Sequence, residues 1–175
     1  EVRDQLKGLL SLFHDQKMSI PDSSISRDVI SLALNEKYSC AQLFQIRSGK
    51  LIGRLGFTSE SVNKSKGFLL QRVIEEHYSQ LDSVEIPSEL LLQYSIPQDL
   101  LIREWLTERR GRRVNLLLPQ RGQKADIIDL VYRNALCELN RSIKDAEKNQ
   151  FAIEDLCQIL ELSEHPKRIE GFDIS

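Results

Sequence analysis

Apolar residues alternate with a period of two between residues 28 and 57 and recur every three to four residues from Val62 onward. This switch of period restricts the fold more than any composition does. Residues 28–33, 39–47 and 50–57 carry Val, Ile, Leu, Phe and Tyr, and are separated by Asn35-Glu36-Lys37 and by Ser48-Gly49, both turn material. The pattern predicts a three-stranded antiparallel meander. In its second strand Cys40, Gln42, Phe44 and Ile46 face one side, and Ala41, Leu43, Gln45 and Arg47 the other. Ser48-Gly49 suits a tight hairpin because glycine accepts positive φ at no steric cost.

After Thr58-Ser59, read as an N-cap, Val62, Leu69, Leu70, Val73, Ile74, His77 and Tyr78 form a helical stripe. Pro87 bounds a strand over residues 90–92. Pro97 sits where a helix can begin, Leu101, Ile102, Trp105 and Leu106 share its face, and Gly111 is placed to end it. A strand over residues 115–118 stops at Pro119. Residues 123–149 form the longest helical pattern, with Ile128, Val131, Tyr132, Ala135, Leu139 and Ile143 on the buried stripe. A shorter helix over 152–162, a turn over 163–167 and a strand over 168–174 complete the chain. At the other end, residues 1–13 read as the end of a helix and 14–26 as a linker. The order strand, strand, strand, helix, strand, helix, strand, helix requires crossover connections and a mixed sheet covered by helices. It is the order of the α/β ribonuclease H-like fold.

The chain holds 24 basic and 26 acidic residues, so no global field draws it to nucleic acid or to an anionic membrane, and such a contact must be local. Its apolar runs fall well short of the roughly 20 residues that span a bilayer, so no membrane partner is expected. Cys40, Cys137 and Cys157 form no C-x-x-C pair, which argues against a disulfide framework or a zinc site and fits a reducing, cytoplasmic location. The only methionine is Met18, and the chain is read as an excerpt of a longer protein.

Ribonuclease H-like nucleases gather carboxylates around divalent metal, which stabilises the attacking and leaving oxygens of phosphoryl transfer. Here the first strand has its only carboxylate, Asp28, at its start. Glu89 lies at the edge of the fourth strand, and the fifth has no acid. Asp126 and Asp129 stand one turn apart on the last helix, a spacing typical of a solvated face. The central region, residues 27–149, is therefore expected to be a catalytically silent copy of the fold. His14, His77 and His165 make no ligand pair, and Gly49-Lys50-Leu51-Ile52-Gly53 lacks the spacing of a phosphate loop. Two basic groups remain. Arg47, Lys50 and Arg54 flank the hairpin, and Arg109, Arg110, Arg112, Arg113, Arg121 and Lys124 surround the fifth strand. Such clusters suit phosphates, although cations in the last turn of a helix equally serve its C-terminus. Arg121 and Lys124 lead into a helix whose free N–H groups also receive anions. Arg47, Lys50, Arg54, Arg121 and Lys124 are the candidate DNA contacts.

The segments Val29-Ile30-Ser31-Leu32-Ala33, Phe44-Gln45-Ile46-Arg47-Ser48-Gly49-Lys50-Leu51-Ile52-Gly53, Pro119-Gln120-Arg121-Gly122-Gln123-Lys124 and the terminal Arg168-Ile169-Glu170-Gly171-Phe172-Asp173-Ile174-Ser175 resemble, in this order, the UvrC family of the bacterial excinuclease ABC. The resemblance implies that residues 1–26 contain the end of the helical motif that contacts the UvrB-like helicase of the excinuclease. It further implies that 150–175 carry a helix and the first strand of the following nuclease domain. In that family the nuclease cuts DNA beside lesions with Mg or Mn, and Asp173 corresponds to its first metal-binding, catalytic carboxylate. A single carboxylate forms no competent metal site, so the fragment alone is expected to need no cofactor and to cut nothing. The rival reading is a self-standing metal-dependent nuclease using Asp28, Glu89 and Asp126.

Overall fold

The structure, a computed structural model, describes residues 25–60, 64–162 and 164–166, together with Arg168, Glu170, Gly171 and Asp173. The helix and most of the linker expected over residues 1–24 lie outside the described residues, as does Val62.

Five strands form one sheet: β1 (Arg27–Leu34), β2 (Tyr38–Arg47), β3 (Lys50–Glu60), β4 (Glu89–Leu92) and β5 (Asn115–Leu117). Their order is β3-β2-β1-β4-β5, with the first three antiparallel and β4 and β5 parallel to β1. Among the described residues three helices lie between and after them: α1 (Lys66–Ser79), α2 (Asp99–Arg110) and α3 (Gln123–Ile159). The meander, the crossovers and the mixed sheet are those the period switch predicts.

The β2–β3 turn places Ser48 at φ 51° and Gly49 at φ 70°, the double left-handed conformation that matches the twist of a two-residue hairpin. In the preceding turn the Asn35 side-chain oxygen accepts from the N–H groups of Lys37 at 2.9 Å and Tyr38 at 2.6 Å. The N-cap expected at Thr58-Ser59 is displaced. Those residues extend β3, whose Thr58 and Ser59 pair with Cys40 and Ser39, and ladder bonds outweigh a local capping preference. The cap is Ser65, whose hydroxyl accepts from the Phe68 N–H at 3.3 Å. Gly67 follows because a Cβ there would stand 2.2 Å from the Ser95 carbonyl oxygen, where the first turn of α1 crosses the chain leaving β4.

Alternation along β1 and β2 divides the core. Ile30, Leu32, Ala41 and Leu43 pack with Leu70, Ile74 and Tyr78 of α1 and with Ile102 and Leu106 of α2. Val29, Phe44 and Ile46 meet Ile127, Ile128 and Val131 of α3 on the opposite face. Each fully buried Leu or Ile contributes about 1.5–3 kcal/mol. Leu101, expected on the inner face of α2, is instead exposed, and Ile102 and Leu106 carry the contact. Gly111 ends α2 as expected, with φ 70° and its N–H donated to the Glu108 carbonyl.

One expectation at the end of the chain is corrected, and a second falls partly outside the described residues. The helices expected over 123–149 and 152–162 are one helix, α3, because no Gly or Pro interrupts the chain between them. The strand expected over 168–174 is not formed by the described residues of that segment. Arg168, Glu170, Gly171 and Asp173 are in no strand of the sheet, and residues 169, 172 and 174 lie outside the described residues.

Candidate functional site

The parallel register of β1 and β4 sets Arg27 beside Glu89 and Asp28 beside Leu90. Because side chains alternate, Asp28 emerges on the α1 face with Ile30, whereas Arg27 and Glu89 emerge on the α3 face with Val29 and Leu91. The carboxylates of Asp28 and Glu89 therefore occupy opposite sides of the sheet.

Asp28 is fully buried. Its carboxylate accepts from Arg47 Nη1 at 2.5 Å and from the Tyr78 hydroxyl at 2.6 Å. Burial pushes the Asp28 carboxyl up from its usual range, and the Arg47 and Tyr78 contacts oppose that push. Burial also raises the Tyr78 hydroxyl well above its ordinary value, reinforced by the Asp28 charge. The Arg47 guanidinium further donates to the carbonyls of Arg27 at 3.0 Å, Ile46 at 3.1 Å and Glu85 at 3.0 Å. It ties the segment before β4 to the start of β1.

Across the sheet, Glu89 pairs with the buried Arg27 through one oxygen and with Lys124 Nζ at 2.6 Å through the other. Lys124 on the first turn of α3 thus fastens that helix to the sheet end. Asp126 is exposed on the same turn. No group of three or more His, Cys, Asp or Glu side chains able to hold a metal ion occurs among the described residues. Asp28 and Glu89 do not fit a shared metal, since each faces its own cations on its own side. Asp173 is exposed and outside the sheet.

The candidate DNA contacts separate by environment. Arg47 and Lys124 are engaged with internal carboxylates. Arg54, on the α3 face, donates from Nε to Gln42 at 2.9 Å, lies 3.8 Å from Glu138 and sits over the Phe44 ring. Arg109 and Arg110 at the end of α2 donate not to the last carbonyls of that helix but to those of Ser79 and Leu81 at the end of α1 and of Ile86 and Arg113 in the flanking loops, so they tie α2 to its neighbours. Lys50 and Arg121 are exposed, as are Arg112 and Arg113. These four belong to one end of the sheet, where β1, β4 and β5 begin, β2 turns into β3 and α3 starts. Four strand spacings separate the outermost strands, about 19 Å. The buried partners Arg27 and Tyr78 carry no signal in the sequence, because a contact across 50 or more residues requires the sheet register.

A β3-β2-β1-β4-β5 mixed sheet with α1 and α2 on one face and α3 on the other defines a ribonuclease H-like α/β domain, here with its sheet-end acids matched by Arg and Lys. A family model described as the UvrC Ribonuclease H-like domain matches residues 26–142, and the chain belongs to that family. It is 59% identical over 174 residues to UvrABC system protein C of Synechococcus sp. strain CC9605, covering 99% of this chain and 26% of the relative. The protein of that name from Prochlorococcus marinus strain MIT 9313 is 55% identical over the same shares. That of Synechococcus elongatus is 51% identical over the whole chain and 27% of the relative. The chain thus spans about a quarter of the relatives it matches. Among solved structures, endonuclease V of Bacillus subtilis is 17% identical with a TM-score of 0.35, over 70% of this chain and 57% of that one, a likeness too slight to bear on function.

Proposed function

We propose that this chain is the central domain of an excinuclease component in bacterial nucleotide excision repair, and that it acts as a scaffold that holds DNA rather than as the part that cuts. The observation that carries the reading is the set of exposed cations at one sheet end, Lys50, Arg112, Arg113 and Arg121, which have no ion-pair partner among the described residues. Cations spread over about 19 Å suit successive backbone phosphates, and such contacts position a duplex without reading its sequence.

The whole protein would incise DNA around lesions in the cytoplasm, in complex with a UvrB-like helicase contacted near residues 1–26. Asp173 would supply the first carboxylate of its Mg- or Mn-dependent site, with the remaining ligands from elsewhere in the longer protein. The rival reading, a nuclease built on Asp28, Glu89 and Asp126, is disfavoured because the first two face opposite sides of the sheet.

Titration of duplex DNA at several salt concentrations tests the scaffold surface. Each phosphate contact contributes about 0.9 to the slope of log affinity against log salt. Replacing Lys50, Arg112, Arg113 and Arg121 with Ala is expected to weaken binding and flatten that slope by roughly 2 to 4. An unchanged slope removes this surface from the account.

A further inference from the structure

At the far end of the sheet from these cations, a cavity of about 350 Å³ opens between α1 and the β2–β3 ribbon. Its floor and wall are Leu32, Ala41, Phe57 and Val73. Its rim carries Lys64 and Arg72, both exposed and without an ion-pair or hydrogen-bond partner among the described residues. Glu76, one helical turn after Arg72, adds a single carboxylate to the lining. The hydroxyls of Ser39 and Ser59, 3.0 Å apart, line the strand side.

Small-ligand sites usually combine an apolar enclosure of about 300–1,000 Å³ with a few convergent polar groups, and this cavity stands at the small end of that range. Two unpaired cations select an anion, and a phosphate accepts from both a guanidinium and an ammonium. The apolar wall with its phenyl ring selects a flat ring. The carboxylate selects a hydrogen-bond donor on the ligand. We infer that this cavity binds one nucleotide unit whose base carries an amino group, with the phosphate at Lys64 and Arg72, the base against Phe57 and its amino group donating to Glu76. The site is separate from the proposed phosphate contacts, since its residues belong to the opposite ends of β1, β2 and β3.

Backbone NMR of the chain titrated with dCMP tests the assignment. Saturable shifts are expected at the amides of Ala41, Gly56 and Phe57, and a variant carrying Lys64→Gln and Arg72→Gln should bind about tenfold more weakly. Both substitutions are at exposed positions, and unchanged far-ultraviolet circular dichroism would verify that the fold is kept. Deoxycytidine should lose a similar factor, and dTMP, which lacks the amino group, should bind more weakly than dCMP until Glu76→Gln removes the difference. An unstructured oligo-dC that competes with dCMP assigns the site to a nucleotide within a strand, and a site that takes dCMP alone assigns it to free nucleotide. Absence of saturable shifts, or equal affinity in the Lys64 and Arg72 double variant, overturns the inference. Replacing Lys50, Arg112, Arg113 and Arg121 should leave dCMP binding unchanged, which separates this test from that of the DNA surface.

Discussion

Asp28 and Glu89 start neighbouring parallel strands and send their carboxylates to opposite faces of the sheet, Asp28 to Arg47 and Tyr78, Glu89 to Arg27 and Lys124. Two acids that the linear sequence leaves as candidate metal ligands thus become the anions of two separate structural ion clusters. Removing one partner from such a cluster leaves the other buried and uncompensated, which costs more than the pair itself contributes.

On the α1 face, Asp28→Ala is expected to destabilise the chain by about 3–5 kcal/mol, because Arg47 and Tyr78 both lose their acceptor. Tyr78→Phe removes one hydrogen bond and should cost about 1–2 kcal/mol. Urea unfolding of the two variants checks the order. Equal losses would mean that the carboxylate's contact with Arg47 contributes little.

On the α3 face the two cations are unequal. Arg27 is 1% exposed and Lys124 about a third exposed, so solvent screens the second contact. Glu89→Ala should therefore cost about 3–5 kcal/mol and Lys124→Ala about 1 kcal/mol or less. A Lys124 variant as unstable as the Glu89 variant would place the main anchor of the cluster on α3 instead of β1.

The sequence carried the element order because period, turn residues and helix stops are local. Ser48-Gly49 and Gly111 mark their turns by conformations that few other residues adopt. It misjudged the start of α1 because Thr58 and Ser59 suit both a cap and a strand, and only their pairing with Cys40 and Ser39 decides. Within the site, Lys50 and Arg121 were legible as basic residues in turns. The engagement of Arg47 with Asp28 was not, since it depends on which residues share a face at the end of a 19-residue separation.

Burial holds the His77 imidazole below its ordinary value, against the pull of Asp28 and Glu85 and with a small further lowering by Arg47. The folded chain then binds fewer protons at this site than the unfolded chain, so its contribution is complete above about pH 6.5 and is lost as the pH falls from there through the lower folded value. Asp28, with its carboxyl raised, acts in the opposite sense: stability is lost as the pH rises from 3.8 through its folded value. Comparing the chain with His77→Gln isolates the first effect. Unfolding free energies measured between about pH 5 and 8 should fall more steeply on acidification in the parent chain than in the variant. Parallel curves would show that His77 does not titrate differently in the fold.

The sheet of this domain keeps a nuclease's topology while Asp28 and Glu89 serve cations of the chain itself. Thermal unfolding with increasing Mg or Mn chloride measures this most directly, because an ion held only by the folded state at a hundred times its dissociation constant would add about 2.7 kcal/mol of stability. With ionic strength held constant, an unchanged midpoint is expected up to about 10 mM metal. A rise of several degrees that Asp28→Asn or Glu89→Gln abolishes would contradict it.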